Sequence, residues 1–283
     1  MPSSAAATAP IGVFDSGIGG LSVLAALRRE LPDERFVYIG DAGHAPYGER
    51  DTAHVLRRSQ RLADYLRTAH QAKALVLACN TATAAAVASL RERYPALPIV
   101  GIEPALKPAA AQTTSGVVAV MATRSTLGSD KFLALLRMQP PMVRFLLQAC
   151  DGLAAAIEQG DRHAIESLSQ TYVNALVQQA PGAALIDTVV LGCTHYALIS
   201  DTLARLWGPK VTLLDAGQPV ARRTRQVLQA AELLWPASAA SLAEAAHTPL
   251  VCLSTGDPTG LERALEDWQM GGPALTASAL DLA

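Results

Sequence analysis

I-G-V-F-D-S-G-I-G-G-L-S-V-L-A-A-L-R-R-E-L-P, residues 11 to 32, decides the fold. The unbroken apolar run at 11–14 suits a strand buried on both faces. Residues 15 to 20 form a glycine-rich turn. Leu21, Leu24, Leu27 and Leu31 then recur at helical spacing along one face, and Pro32 ends the helix. This is a βα unit. Working outward, apolar runs at 36–40, 74–78, 98–102, 116–121, 142–147, 188–192, 210–214 and 249–253 alternate with segments of helical spacing. The class is therefore α/β with mainly parallel sheets. The strands are too many for one small sheet, so two similar α/β domains are expected. The chain is expected to cross between them near 103–108 and 214–219, where Pro and Gly accumulate. The first domain takes residues 10–103 plus 215–283 and the second 104–214. Residues 1–9, rich in Ala, Ser and Pro, read as a mobile tail.

The chain has 283 residues, half of them hydrophobic, which is ample for two ordinary domains and argues against disorder. Its 23 basic and 25 acidic side chains leave a net charge of −2, so no long-range field gathers nucleic acid or anionic lipid. A small-molecule partner is the better expectation. No leader-like or membrane-spanning apolar stretch is present, and a cytoplasmic location is expected. Four cysteines in such a chain read as free thiols rather than a disulfide frame.

Two of those thiols occur in an internal echo. Residues 74 to 82 read A-L-V-L-A-C-N-T-A and residues 187 to 196 read D-T-V-V-L-G-C-T-H-Y. Twice an apolar strand runs into a small residue, then Cys, then hydrogen-bonding side chains. One strand-end cysteine is more often a small buried hydrophobe than a catalyst. The pair shifts the balance, because both are followed by polar residues and neither has metal-ligand spacing. Ligands of open α/β sheets bind at the carboxyl ends of strands, so the expectation is that Cys79 and Cys193 face a shared cleft between the domains. Cys252 sits in an apolar run and reads as core, and Cys150 is given no chemistry.

D-S-G-I-G-G at 15–20 lacks both the dinucleotide and the P-loop glycine spacings, and an acidic first residue repels phosphate. It reads either as a simple helix cap or as a site where Asp15 and Ser16 meet an ammonium group or tune a thiol. The Gly- and Pro-rich loop G-D-A-G-H-A-P-Y-G-E-R at 40–50 is either a surface turn or a place where Tyr47 and Gly48 meet substrate. Among six histidines, His54, His70, His163 and His247 read as solvated. His195, two residues past Cys193, is placed to exchange protons near neutral pH.

At these residues the chain resembles the glutamate racemases of the aspartate/glutamate racemase superfamily. V-F-D-S-G-I-G-G-L-S-V-L at 13–24, the D-x-x-x-x-P-Y-G loop at 41–48, A-C-N-T-A-T at 78–83, G-I-E-P at 101–104 and L-G-C-T-H-Y at 191–196 match in order. L-L-D-A-G at 213–217 and S-T-G-D-P at 254–258 close a similarity that covers about residues 11 to 268. The resemblance implies no pyridoxal phosphate or other cofactor, no metal, and D-glutamate made for peptidoglycan and hence for cell shape. It also implies that Cys79 takes the proton from D-glutamate and Cys193 from L-glutamate. Asp15, Ser16, Tyr47, Gly48, Asn80, Thr81, Thr194 and His195 are implied to hold the substrate, with Asp15 and His195 also assisting the proton transfers. Glu158, in A-C-D-G-L-A-A-A-I-E-Q-G, matches the acidic residue that supports the second thiol. Asp151 replaces the family's Pro after Cys, and Ala197 replaces the Pro after H-Y. A homodimer is the expected assembly.

Racemisation needs two acid/base groups flanking one carbon, because a single group returns the proton to the face it came from. A thiol of reference pKa about 8.5 must lose its proton on one side while its partner keeps one. Without an electron sink, the site must stabilise the carbanion by keeping the substrate ammonium charged and water excluded. Three other readings remain open at this level: a racemase of another amino acid such as aspartate, a regulatory binding protein on the same scaffold, and a dinucleotide enzyme.

Overall fold

The computed structural model describes residues 4–180, 186–236, 250–267 and 276–282. Its strands, in chain order, are β1 Ile11–Asp15, β2 Phe36–Gly40, β3 Ala74–Leu77, β4 Ile99–Gly101, β5 Val117–Ala122, β6 Arg144–Ala149, β7 Ile186–Leu191, β8 Thr212–Leu214, β9 Leu250–Ser254 and β10 Ala277–Ala279. The chain divides into two compact units, one of Met1–Ile102 with Gly217–Ala283, the other of Glu103–Ala216.

The first unit carries a six-stranded sheet in the order β10-β9-β2-β1-β3-β4, and every pairing in it is parallel. All residues of β1, β2 and β3 are buried, as expected for strands with helices on both faces. Helix Leu21–Glu30 buries Leu21, Leu24 and Leu27, and Leu31 caps its end, so the leucine spacing does what the sequence requires of it. Leu62 and Leu66 of helix Thr52–Ala69 join Phe14, Leu75, Leu77, Ala86 and Leu90 in one core. Each such buried leucine contributes about 1.5–3 kcal/mol of transfer free energy.

The second unit holds a four-stranded parallel sheet, β6-β5-β7-β8. Its central strand β5 is buried throughout, and Val118, Val120 and Val190 pack with Leu106 and Phe132 beneath it. Asp187, at the start of β7, gathers Thr113 and the backbone and side chain of Thr114, plus the Ser115 N–H, and so holds the turn that leads into β5. These hydrogen bonds outweigh burial and keep its carboxyl below the usual range.

Parallel pairing fixes where side chains collect. Asp15, Gly40 and Ser254 lie in register across β1, β2 and β9, and Phe14 pairs with Leu77 of β3. Asp15, Ser16, Asp41, Cys79 and Thr255 therefore emerge along one edge of the first sheet. In the second sheet, β7 likewise delivers Cys193 at its carboxyl edge, two residues beyond Leu191.

Several expectations need adjustment. β10 was not foreseen. β6 begins two residues later than expected, because the Val143 N–H closes a turn on the Pro140 carbonyl and leaves Met142 exposed. β7 begins two residues early, at Ile186. Residues Ser4–Ala7 form a helical turn whose Ala7 carbonyl accepts a hydrogen bond from Lys73 Nζ at 2.5 Å. His54 and His70 are half-buried rather than solvated: the first packs against His44 and the second lies edge-on to Tyr65. His247 and residue 249 fall outside the described residues.

Candidate active site

In the first unit the turn at 15–20 wraps a carboxylate. Asp15 is fully buried, and its Oδ2 accepts the N–H of Gly20 at 2.9 Å and of Gly17 at 3.3 Å. These two amides of the motif are thus engaged internally rather than open to an anion. A side chain at position 20 would meet Asp15 Cβ at 2.6 Å and the Tyr38 hydroxyl at 2.8 Å, so only glycine lets the chain pass. Ser16 follows, buried, with its Oγ 3.9 Å from the Cys79 sulfur.

Cys79 leaves β3 in an extended conformation and becomes the N-cap of helix Asn80–Arg93, its Sγ accepting the Ala82 N–H at 3.5 Å. The sulfur thus sits where a helix presents backbone N–H groups, which suit a thiolate. Thr83 stitches this corner, donating to the Leu77 carbonyl and accepting the Ile102 N–H. Asn80 and Thr81 are buried beside the thiol. The Asn80 Oδ1 has no hydrogen-bond partner among the described residues, and an unmet buried acceptor costs about 1–3 kcal/mol.

The loop at 41–48 delivers Tyr47 buried and Gly48 half-buried. The Tyr47 hydroxyl donates to Asp41 at 2.5 Å, so it is directed at the protein's own carboxylate. Burial and that neighbouring charge raise its pKa.

In the second unit, Cys193 opens the short helix Thr194–Ala197 from an extended backbone. Its sulfur lies 3.8 Å from His195 Nδ1, and His195 Nε2 meets Glu158 Oε2 at 2.6 Å. Thiol, imidazole and carboxylate form one chain of hydrogen bonds. Burial opposes a charge on His195, but its hydrogen bonds to Cys193 and Glu158, with their negative charges, win and raise its pKa well above the usual value. Glu158 is carried by helix Leu153–Gln159, which both begins after and ends on glycines in left-handed backbone, Gly152 and Gly160. That helix stays anchored although Asp151 stands in the family's Pro position: Asp151 pairs with Arg124, and its carbonyl accepts the Tyr172 hydroxyl. Thr194 is buried next to the sulfur, and Ala197 is buried as well.

Cys79, Ser16 and Asp15 therefore gather in the first unit, and Cys193, His195 and Glu158 in the second. All four cysteines are free. Cys252 is core, its thiol pushed up to about 12 by burial. Among the described residues, no group of three His, Cys, Asp or Glu forms a metal site, and no helix is long and apolar enough to cross a membrane. Sequence reasoning missed one cluster: Asp41 also accepts from Arg58 and Thr255. Its faint signals were the Asp that opens the loop at 41–48 and the Thr of S-T-G-D-P.

Two parallel sheets, each ending in a buried cysteine at the start of a helix, define a class. The family model for Asp/Glu/Hydantoin racemase matches residues 11–224, and the chain belongs to that family, on its glutamate racemase branch. A glutamate racemase of Pseudomonas putida (strain W619) is 47% identical over 260 residues, 91% of this chain and 93% of the relative. The crystal structure of a glutamate racemase isoform from Bacillus anthracis is 28% identical with a TM-score of 0.80, covering 97% of this chain and 98% of that one. That of the Escherichia coli glutamate racemase, solved with L-glutamate and the activator UDP-MurNAc-ala, is 28% identical with a TM-score of 0.77, covering 96% and 98%.

Proposed function

We propose that this chain interconverts L- and D-glutamate by a cofactor-independent transfer of the α-proton between Cys79 and Cys193. The observation that carries the reading is the recurrence, once in each unit, of a buried cysteine at the carboxyl end of a parallel strand where a helix begins. Racemisation needs two such groups on opposite faces of one carbon. Each unit supplies one, and the functional halves are taken as residues 10–103 plus 215–283 and 104–214.

Cys193 thiolate removes the proton of L-glutamate, and the Cys79 thiol returns one on the other face; the reverse reaction exchanges their roles. His195 balances the charge on Cys193 as its proton leaves, and Glu158 holds the imidazole in place for that task. Ser16 lies near the Cys79 sulfur, and Asp15 precedes it at the end of β1. Asn80 Oδ1, buried and unmet, is an acceptor suited to the substrate ammonium, whose retained charge lowers the energy of the adjacent carbanion. Thr81, Thr194 and the backbone of the Tyr47–Gly48 turn complete the contacts to glutamate. The product serves peptidoglycan assembly, and the reading takes the enzyme as a cytoplasmic homodimer, which sedimentation equilibrium tests.

Circular dichroism of pure L- and D-glutamate, followed with wild-type, C79S and C193S proteins, tests the proposal. Wild type drives both solutions to the racemate and each variant leaves them optically active. Full interconversion by either variant ends the two-thiol reading, and activity on aspartate but not glutamate redirects the substrate.

A further inference from the structure

Asp41, at the end of β2, is fully buried and accepts four hydrogen bonds: from the Tyr47 hydroxyl at 2.5 Å, Arg58 Nη2 at 2.8 Å and Nε at 3.1 Å, and the Thr255 hydroxyl at 2.7 Å. The Thr255 Oγ1 also accepts the Gly43 N–H at 3.3 Å, and the Thr255 N–H donates to the Gly40 carbonyl. Arg58 Nη1 reaches the Leu282 carbonyl at 3.3 Å. The arrangement grips the loop at 41–48 at its start, at Gly43 and at Tyr47. It does so from helix Thr52–Ala69 on one side and from the end of β9 on the other.

Stability is a poor reason for this cluster. A buried ion pair gains little over apolar residues of the same volume, because desolvation consumes most of its Coulomb energy. Charged groups do fix geometry, since a guanidinium and a carboxylate meet in only a few orientations. The loop needs such a device: beyond Tyr47 it buries little apolar surface, and its two short helical turns, Ala42–His44 and Tyr47–Glu49, cannot hold a shape alone.

We propose that Asp41, Arg58 and Thr255 are positioning residues that set the turn at 47–48 for substrate, and that the Tyr47 hydroxyl serves this clamp rather than contacting glutamate. The inference rests on the glutamate reading above. It assigns a functional role to the S-T-G-D-P segment and to Arg58. Among the groups facing Asp41, three donate to it, and these bonds outweigh burial to keep its carboxyl ionised.

The test is the Thr255→Val variant, which keeps the shape and removes the hydroxyl shared by Asp41 and Gly43. The expected result is KM for both enantiomers raised about tenfold with kcat within about threefold, and Thr255→Ser restoring KM to within about twofold. Arg58→Lys, which keeps the charge but loses the fork, raises KM in the same way. In a double-mutant cycle, Thr255→Val and Tyr47→Phe combine to less than the product of their separate effects, because both act through Asp41. Amide hydrogen exchange is measured on the same proteins. In Thr255→Val the amides of 42–49 exchange about tenfold faster, while helix Asn80–Arg93 keeps its protection. Unchanged KM in both folded variants, or unchanged exchange in the loop, overturns the clamp. A wild-type protein without glutamate turnover removes the substrate reading instead, and loop exchange then still decides whether the clamp exists.

Discussion

Replacing Glu158 by Gln isolates the support given to the second thiol. The substitution keeps size and one hydrogen bond but removes the charge facing His195 across 2.6 Å. His195 is 3% exposed and the Glu158 side chain 15%, so solvent screens the pair little. A hydrogen bond to a charged group is worth about 1.5–3 kcal/mol, against about 1 kcal/mol for a neutral one. In the proposed mechanism the difference falls on the state in which Cys193 is giving up its proton and His195 balances the charge. The difference of about 0.5–2 kcal/mol gives an expected loss in kcat/KM of roughly 2- to 30-fold, at about 1.4 kcal/mol per decade. Because the two enantiomers are equal in energy, kcat/KM must fall by the same factor in both directions, which makes the paired measurement its own control. The pH profile carries the sign. Glu158 raises the His195 pKa, so its removal lowers that pKa, and the alkaline limb of the kcat/KM profile moves to lower pH. The stability difference follows the same rule. The raised folded pKa stabilises the protein fully below the unfolded value of about 6.5, and the contribution fades as pH rises through the folded value. The assay is circular dichroism on each enantiomer between pH 6 and 10. Wild-type kcat/KM together with an unmoved alkaline limb would refute the role given to the Glu158–His195 pair.

Gly20→Ala forces a methyl against Asp15 and the Tyr38 hydroxyl, which is expected to cost about 1–3 kcal/mol in urea unfolding, with most activity lost; an unchanged midpoint contradicts the packing. Asp187 stabilises the 113–115 turn above its unfolded pKa of about 3.9, and that contribution is lost as pH falls through its lower folded value. Asp187→Asn is therefore less stable than wild type at pH 6, and the gap narrows as the pH falls below about 3.9 in chemical unfolding curves; a gap that stays constant from pH 6 to low pH argues otherwise. Alkylation of the folded protein with iodoacetamide at pH 8, mapped by peptide mass, leaves Cys252 and Cys150 unmodified, because burial pushes the first up to about 12 and raises the second as well. Rapid labelling of Cys252 would show that β9 opens readily.

The strands that carry the site were legible because each is a run of branched apolar residues, a pattern imposed by burial on both faces. Ala277–Ala279 was not, since Ala-Ser-Ala has no branched side chain and gains its place only by pairing with β9. The thiols could be read because the sequence repeats the same strand-end phrase. His195 followed from its spacing to Cys193, and Glu158 from the resemblance alone, since 37 residues separate it from its partner. The clamp on Asp41 was invisible for the same physical reason. Arg58 lies 17 residues away on helix Thr52–Ala69 and Thr255 214 residues away beyond β9, where the parallel register of β2 and β9, which no local pattern encodes, brings it to Asp41.

The central claim is that one thiol faces each side of the glutamate α-carbon, and proton magnetic resonance of single-turnover products in deuterium oxide tests it most directly. Starting from L-glutamate, wild-type protein should form D-glutamate that carries deuterium at the α-carbon, while unreacted L-glutamate stays protiated at early times. C79S and C193S should form no deuterated product of inverted configuration. Product that retains the substrate's own proton, or inversion that survives the loss of either sulfur, would contradict the account.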